Sequence, residues 1–99
     1  MLNIEKNKDN NSLVISLDGR LDTATAPGLE KELNNSLDGV NALTFDMEKL
    51  DYISSAGLRV LLSAQKQMNK QGEMKITKVT ETIMEIFEVT GFTDILTIE

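Results

Sequence analysis

The stretch that decides the fold is Ile53-Ser54-Ser55-Ala56-Gly57-Leu58-Arg59-Val60-Leu61-Leu62. Two hydroxyl residues and a glycine stand there between an extended segment and a run of apolar residues with helical spacing. A serine at the start of a helix lies among backbone N–H groups that have no partner within the helix, and these groups favour negative charge. Such a serine serves as a helix N-cap, as a nucleophile or as a phosphorylation site. Deciding among these three roles largely decides the function.

The segments on both sides of this stretch alternate between strand and helix patterns. The predicted strands cover 2–6, 12–18, 42–47, 74–77 and 95–98, and the predicted helices cover about 25–37, 56–70 and 80–90. Residues 7–11 form a predicted hairpin turn, 18–20 break the second strand and 48–52 connect to the serine turn. In the first helix Thr25 is the expected N-cap and Pro27 lies in the first turn, where a missing N–H costs least.

The order β-β-α-β-α-β-α-β predicts one α/β domain over residues 1–99, with a mixed sheet of about five strands and about three helices. In such sheets functional loops gather beyond the carboxyl ends of parallel strands. The loop at Ser54 and Ser55 follows the third predicted strand and occupies such a place.

The composition removes several classes of function. The 99 residues include no Cys and no His, so there is no disulfide, no thiolate metal site and no imidazole base. A net charge of -6 argues against a nucleic-acid-binding surface. No apolar run approaches the ~20 residues that span a bilayer, and residues 1–6 lack the pattern of a signal peptide. We therefore expect a cytoplasmic protein with no metal, no cofactor and no membrane partner.

The nucleophile role is the weakest of the three. A catalytic serine needs a base within reach, and the only available pairs, with Lys49 or Lys78, lie in no recognisable motif. We therefore predict no enzymatic activity for the chain. An N-cap requires only one hydroxyl, however, and the doubled serine leaves the other without a structural duty. The residues alone leave the N-cap and the phosphorylation site both open.

Two motifs resemble those of the anti-sigma factor antagonists, small bacterial proteins of the STAS domain class. The segment Ile53-Ser54-Ser55-Ala56-Gly57-Leu58 resembles the family's Asp-Ser-[Ser/Thr]-Gly-Leu phosphorylation loop, and Gly19-Arg20-Leu21-Asp22 resembles its Gly-x-[Leu/Ile]-Asp signature. The resemblance covers essentially the whole chain, and the predicted order of elements agrees with the family fold. Aligned on Gly57 and Leu58, the family's phosphoacceptor falls on Ser55.

The resemblance implies a partner-switching mechanism. In this family the unphosphorylated antagonist binds an anti-sigma factor, which then releases its sigma factor. The anti-sigma factor is also a serine protein kinase that phosphorylates the antagonist and expels it, and a PP2C-type serine phosphatase resets the switch. The partner-binding residues implied for this monomeric chain are Asp22, Thr23, Ser54, Ser55, Ala56, Gly57 and Arg59. Arg59 either contacts the partner or the phosphate, or is simply solvated.

One position departs from the family pattern. The residue before the acceptor is usually Asp, whereas this chain has Ser54. Ser54 is therefore the alternative acceptor, and the departure is compatible with a divergent partner. The alternative function is a STAS scaffold or sensory module that is never phosphorylated and binds a protein or a small ligand.

Overall fold

A computed structural model describes residues 1–99, and its strands and helices follow nearly the predicted order. The strands are β1 (Leu2–Asp9), β2 (Ser12–Leu21), β3 (Ala42–Ile53) and β4 (Glu73–Thr77). The helices are α1 (Ala26–Ser36), α2 (Ser55–Gln71) and α3 (Glu81–Thr90), followed by a short 3-10 helix over Phe92–Asp94. The predicted α/β class is confirmed, with three α-helices and a mixed sheet.

The four strands lie side by side in the order β1-β2-β3-β4. The β1–β2 pair is antiparallel, and the β2–β3 and β3–β4 pairs are parallel. In β2, the residues Leu13, Ile15 and Leu17 are buried, while their neighbours in the strand are exposed or half-buried. This alternation is typical of a sheet that is covered on one face. A cluster of 24 buried hydrophobic residues joins the covered face to all three helices.

The helices bury the side chains that their spacing predicts. In α1 the stripe Ala26, Leu29 and Leu33 is buried and continues to Leu37 just beyond the helix. In α3 the buried residues are Ile83 and Phe87, as an amphipathic helix on a sheet requires. None of the helices combines the length and the hydropathy that crossing a membrane would require.

The prediction that β2 breaks at residues 18–20 was wrong. The strand continues to Leu21 and passes two irregularities in its register with β3, between Ser16 and Asp18 and between Gly19 and Arg20. Gly19 has a φ of 117°, a conformation that only glycine adopts readily, so the chain bulges there and then pairs again. The hairpin turn is also shorter than predicted, because β1 extends to Asp9.

The predicted connection over 48–52 was wrong as well. These residues belong to β3, which pairs with the extended part of β2 as far as Leu21 opposite Ile53. Leu50 and Ile53 are buried, and Asp51 and Tyr52 between them are exposed. The carboxyl ends of β2 and β3 therefore lie side by side, where β3 leads into α2.

The fifth predicted strand, over 95–98, is the remaining difference. Backbone N–H groups of Ile95 and Leu96 donate to the carbonyl of Phe92, so the chain is wound into a turn there. Only Ile98 reaches a strand, in a single bridge to Ile76 of β4. Leu96 is buried, and its apolar neighbours had suggested a strand although the turn satisfies the backbone.

Candidate functional site

The two serines at the start of α2 have different surroundings. Ser54 is the N-cap: its Oγ accepts a hydrogen bond from the Gly57 N–H at 3.4 Å. Its backbone N–H donates to the Leu21 carbonyl at 2.9 Å, which ties the helix start to the end of β2. Ser55 is the first helical residue and is exposed, and its hydroxyl has no hydrogen bond within the chain. One serine is thus engaged in the fold, and the other is free.

Gly57 allows the helix start to approach the ends of the two strands. A Cβ atom at this position would lie 2.7 Å from Leu21 Cγ and 2.9 Å from Ile53 Cγ1, closer than real Cβ contacts. A larger residue would push α2 away from the sheet. Ser54 and Ser55 lie three and two residues before Gly57 in the chain. The close packing at Gly57 therefore fixes their position relative to β2 and β3.

The loop after β2 is organised by the Asp22 carboxylate. Asp22 Oδ1 accepts hydrogen bonds from the N–H groups of Ala24 at 3.0 Å and Thr25 at 3.1 Å. The Thr25 hydroxyl donates to the Arg20 carbonyl at 2.8 Å and accepts from the Asp22 N–H at 2.9 Å. Thr25 lies at the predicted N-cap position of α1, but its side chain closes the loop rather than capping the helix.

Hydrogen bonding lowers the pKa of Asp22 below its usual value. The backbone N–H of Thr25 contributes most, and the Thr25 hydroxyl, the Ala24 N–H and the Arg20 guanidinium act in the same direction, against a smaller opposing effect of desolvation. A donor to a carboxylate stabilises its ionised form. Asp22 is therefore a fixed negative charge at this edge of the sheet.

Arg20 and Tyr52 lie beside the predicted site residue Asp22 and were not among the predicted site residues. They face each other across the β2–β3 pair, and the Arg20 guanidinium lies 4.5 Å from the centre of the Tyr52 ring. Arg20 Nε also lies 3.7 Å from Asp22 Oδ2. A cation over an aromatic ring is attracted to its π face. The sequence offers one signal for this pair, which is the position of Arg20 inside the second motif. Tyr52 lies in the predicted connection over 48–52 and gave no signal.

A groove between α1 and α2 adjoins the free serine. Its volume is about 320 Å³, and its lining residues are Thr23, Ala26, Pro27, Glu30, Ala56, Arg59 and Val60. Three of the predicted site residues, Thr23, Ala56 and Arg59, meet there. Asp22, Ser54 and Gly57 instead build the backbone frame beside it, and Ser55 lies on the exposed first turn.

The site is chemically simple. Ser55 has no hydrogen-bonded base, and no group of three acidic residues that could hold a metal ion occurs in the chain. A hydroxyl without a base is a weak nucleophile. The arrangement therefore presents an exposed hydroxyl beside an open groove.

The sequence model of the STAS domain family matches residues 3–99 of this chain. The chain belongs to the STAS domain family. The resemblance expected from the two motifs is thereby confirmed.

Named relatives of this STAS domain are bacterial. BtrV of Bordetella bronchiseptica, named as a candidate anti-sigma factor antagonist, is 38% identical over 96 residues, which are 95% of this chain and 83% of BtrV. An anti-sigma-B factor antagonist of Staphylococcus aureus is 31% identical over 96% of this chain and 90% of its own.

Solved structures share the fold of this STAS domain. An anti-sigma factor antagonist from Mycobacterium paratuberculosis superposes with a TM-score of 0.89 at 20% identity, over 99% of this chain and 85% of its own. The phosphorylated form of the Bacillus cell fate determinant SpoIIAA superposes with a TM-score of 0.75 at 17% identity, over 100% and 91% of the two chains. The four-stranded sheet and its helices are therefore a known arrangement.

Proposed function

We propose that this STAS domain is an anti-sigma factor antagonist that is switched off by phosphorylation of Ser55. The unphosphorylated domain binds an anti-sigma factor, which then frees its sigma factor. The names of the bacterial relatives support the class of function. The observation that carries the choice of residue is the division between the serines: Ser54 caps α2, whereas Ser55 is exposed and has no hydrogen bond.

The phosphoryl transfer needs only the Ser55 hydroxyl from this chain. The γ-phosphoryl group of ATP passes to Ser55 Oγ, the hydroxyl proton is lost and ADP leaves. The anti-sigma factor, acting as a serine kinase, supplies the catalytic base, the nucleotide site and Mg²⁺. This division of tasks fits a chain that has neither His nor Cys.

The docking surface in this proposal is the groove between α1 and α2 together with the first turn of α2. Asp22 and Gly57 hold the loop and the helix start in place, and Thr23, Ala56 and Arg59 face the partner. Phosphorylation adds a charge of about -1.5 to -2 at the edge of this surface. Burying that charge against a partner without a counter-ion costs about 3 kcal/mol or more, which is a loss of affinity of at least about 100-fold.

The proposal includes two further components. A PP2C-type serine phosphatase removes the phosphate and restores binding, and the free antagonist is a monomer in the cytoplasm. Light scattering of the purified protein at several concentrations tests the monomer directly.

The phosphorylation test uses the anti-sigma factor encoded in the same genome, with ATP and Mg²⁺. Mass spectrometry is expected to map the phosphate to Ser55, and the Ser55→Ala variant is expected to take up none. The Ser54→Ala variant is the matched control and is expected to remain a substrate, because Ser55 is intact. Phosphate on Ser54 with Ser55 unmodified would overturn the assignment.

Calorimetric titration of the same anti-sigma factor tests the switch. Ser55→Ala is expected to bind like the unmodified protein. Ser55→Asp is expected to bind more weakly, and the phosphoprotein more weakly still, with a loss of affinity of at least about 100-fold. Equal affinities of the unmodified protein and both Ser55 variants, together with no phosphate uptake, would instead indicate an unphosphorylated scaffold.

A further inference from the structure

Arg59 is a cation without a partner in the fold. It is exposed on α2, one turn after the start of the helix. The ion pairs of the structure are Lys6–Glu32, Arg20–Asp22, Lys75–Glu99 and Lys78–Asp46, and none involves Arg59. Glu30 lines the same groove from α1 without pairing with it. The guanidinium is therefore available for a contact that the unmodified chain does not supply.

The helix places Arg59 beside Ser55. Residues four apart on a helix are neighbours, with Cβ atoms about 5–6 Å apart. Long side chains on a helix point back toward its N-terminus, so the Arg59 side chain extends over the turn that Ser55 begins. Both residues are exposed, and neither side chain has a hydrogen bond that would have to be broken for them to meet.

A phosphate on Ser55 has the chemistry that a guanidinium recognises. It carries three acceptor oxygens, and arginine donates to two of them at once in a planar fork. The sign of the pair also suits its order along the helix, because an anion four residues before a cation is the favourable arrangement. In the unmodified protein, by contrast, the first turn of α2, which precedes Arg59, has no acidic residue.

We propose that Arg59 is the intramolecular receiver of the Ser55 phosphate, and that this pairing takes from the docking groove the only cation that lines it. The proposal rests on the proposed phosphorylation of Ser55 and adds a second cause for release of the partner. Phosphorylation then acts twice: it adds negative charge beside the groove, and it withdraws Arg59 from any carboxylate of the partner. The groove keeps only Glu30 as a charged residue, so an acidic partner surface loses its one attraction there.

The test uses the full chain with phosphoserine installed at position 55 by an expanded genetic code. No kinase is needed, so failure to find a kinase would count against the proposed function and leave this measurement intact. The pH dependence of the ³¹P NMR signal gives the second pKa of the phosphate. A neighbouring guanidinium favours the dianion and lowers this pKa.

Three phosphoproteins are compared: the one with Arg59, the Arg59→Gln variant and the Lys66→Gln variant. Lys66 is the matched control, because it is an exposed cation of the same helix and lies 11 residues beyond Ser55, about 16 Å along the axis. At 0.15 M salt that distance exceeds the Debye length. We expect Arg59→Gln to raise the second pKa by about 0.5 unit and Lys66→Gln to leave it nearly unchanged.

The Arg59 Nε–H signal in ¹H–¹⁵N spectra is a second readout. It is expected to move on phosphorylation and to broaden less by exchange with water. An unchanged second pKa in Arg59→Gln, or an equal rise in Lys66→Gln, would overturn the proposal, since neither result leaves a specific pair between Arg59 and the phosphate.

Discussion

Helices α2 and α3 have nearly the same N-cap but differ in their first helical residues. Ser54 and Thr80 are both extended N-caps, with φ/ψ of -97/175° and -74/163°, and each side chain accepts from the N–H three residues on at 3.4 Å. The first helical residue is Ser55 in α2 and Glu81 in α3.

The third helical residue differs too, being Gly57 in α2 and the fully buried Ile83 in α3. The start of α3 contains its own anion, Glu81, and its own core side chain, Ile83. The start of α2 contains a neutral hydroxyl and no side chain toward the core. It offers a position where charge can be added and removed without disturbing the packing.

The largest expected effect is at Ile83, where the comparison predicts a purely structural role. Ile83→Ala leaves a cavity beneath α3 and is expected to lower the free energy of unfolding by about 3 kcal/mol. Urea unfolding followed by circular dichroism measures it. A loss below about 1 kcal/mol would show that α3 is less firmly packed than its buried residues indicate.

Adding a side chain at Gly57, the third helical residue of α2, is also expected to destabilise the fold. Gly57→Ala adds a methyl group that would clash with Leu21 and Ile53. The expected loss is about 1–2 kcal/mol in urea unfolding, after the usual gain of replacing glycine in a helix.

Gly28 in α1 is the control for that substitution, because a Cβ there meets nothing within 4 Å. Gly28→Ala is expected to be neutral or to stabilise the fold by up to about 1 kcal/mol. If Gly57→Ala were as well tolerated as Gly28→Ala, the close approach of α2 to the strands would be refuted.

The N-caps Ser54 and Thr80 are expected to contribute equally to the free energy of unfolding. Ser54→Ala and Thr80→Ala each remove one side-chain hydrogen bond and should each cost about 1 kcal/mol. Ser55→Ala should change stability by less than about 0.5 kcal/mol, because its exposed hydroxyl has no bond to lose. Thermal and urea unfolding of the three variants measure this, and a cost at Ser55 equal to that at Ser54 would contradict the division of roles.

Adding a negative charge at the first residue of α2 and removing one at the first residue of α3 should change the free energy of unfolding in opposite directions. Ser55→Asp is expected to stabilise the fold and Glu81→Gln to destabilise it, each by about 0.3–1 kcal/mol at low salt. Both effects should shrink in 1 M NaCl, where charges are screened over about 3 Å. A destabilising Ser55→Asp would mean that the start of α2 does not accept added negative charge.

The pH dependence of stability tests the Asp22 loop after β2. The start of α2 is hydrogen-bonded to the end of β2 just before this loop. The pKa of Asp22 is lowered by folding, so its contribution to stability is fully present above the ordinary carboxyl pKa near 4 and is lost as the pH falls through the lower folded-state pKa. Asp22→Asn should therefore make the free energy of unfolding less dependent on pH below the ordinary carboxyl pKa. The same substitution at Asp38, an exposed residue outside the loop, is the control. An identical pH dependence in both variants would argue against a fixed charge at Asp22.

Local patterns in the sequence were sufficient for most elements. The spacing of Leu29 and Leu33 predicted the buried face of α1, and the predicted starts of the second and third helices lie within one residue of the observed ones. Each of these signals depends on residues within one or two turns of each other. The family was also predictable, because its two motifs are short continuous segments.

The wrong predictions concern segments whose secondary structure depends on pairing with distant parts of the chain. Residues 48–52 have too many charges to be recognised as a strand, yet they pair with the extended end of β2. Residues 95–98 have the composition of a strand, yet the turn after Phe92 leaves only one bridge. Strand pairing depends on partners far away in the chain, and a single sequence does not contain their register.

The sequence by itself determined the family, most of the helices and strands and the absence of an imidazole or thiol nucleophile, since these depend on residue identity and short spacing. Only the tertiary structure decided which serine is free, because the cap bond of Ser54 and the exposure of Ser55 depend on how α2 meets the strands. It also brought Arg20 onto Tyr52 and formed the groove that Arg59 lines. The physical reason is that residue identity and short spacing belong to one segment, whereas exposure, grooves and cross-strand contacts exist only after β2 and β3 are in register and α2 packs against them.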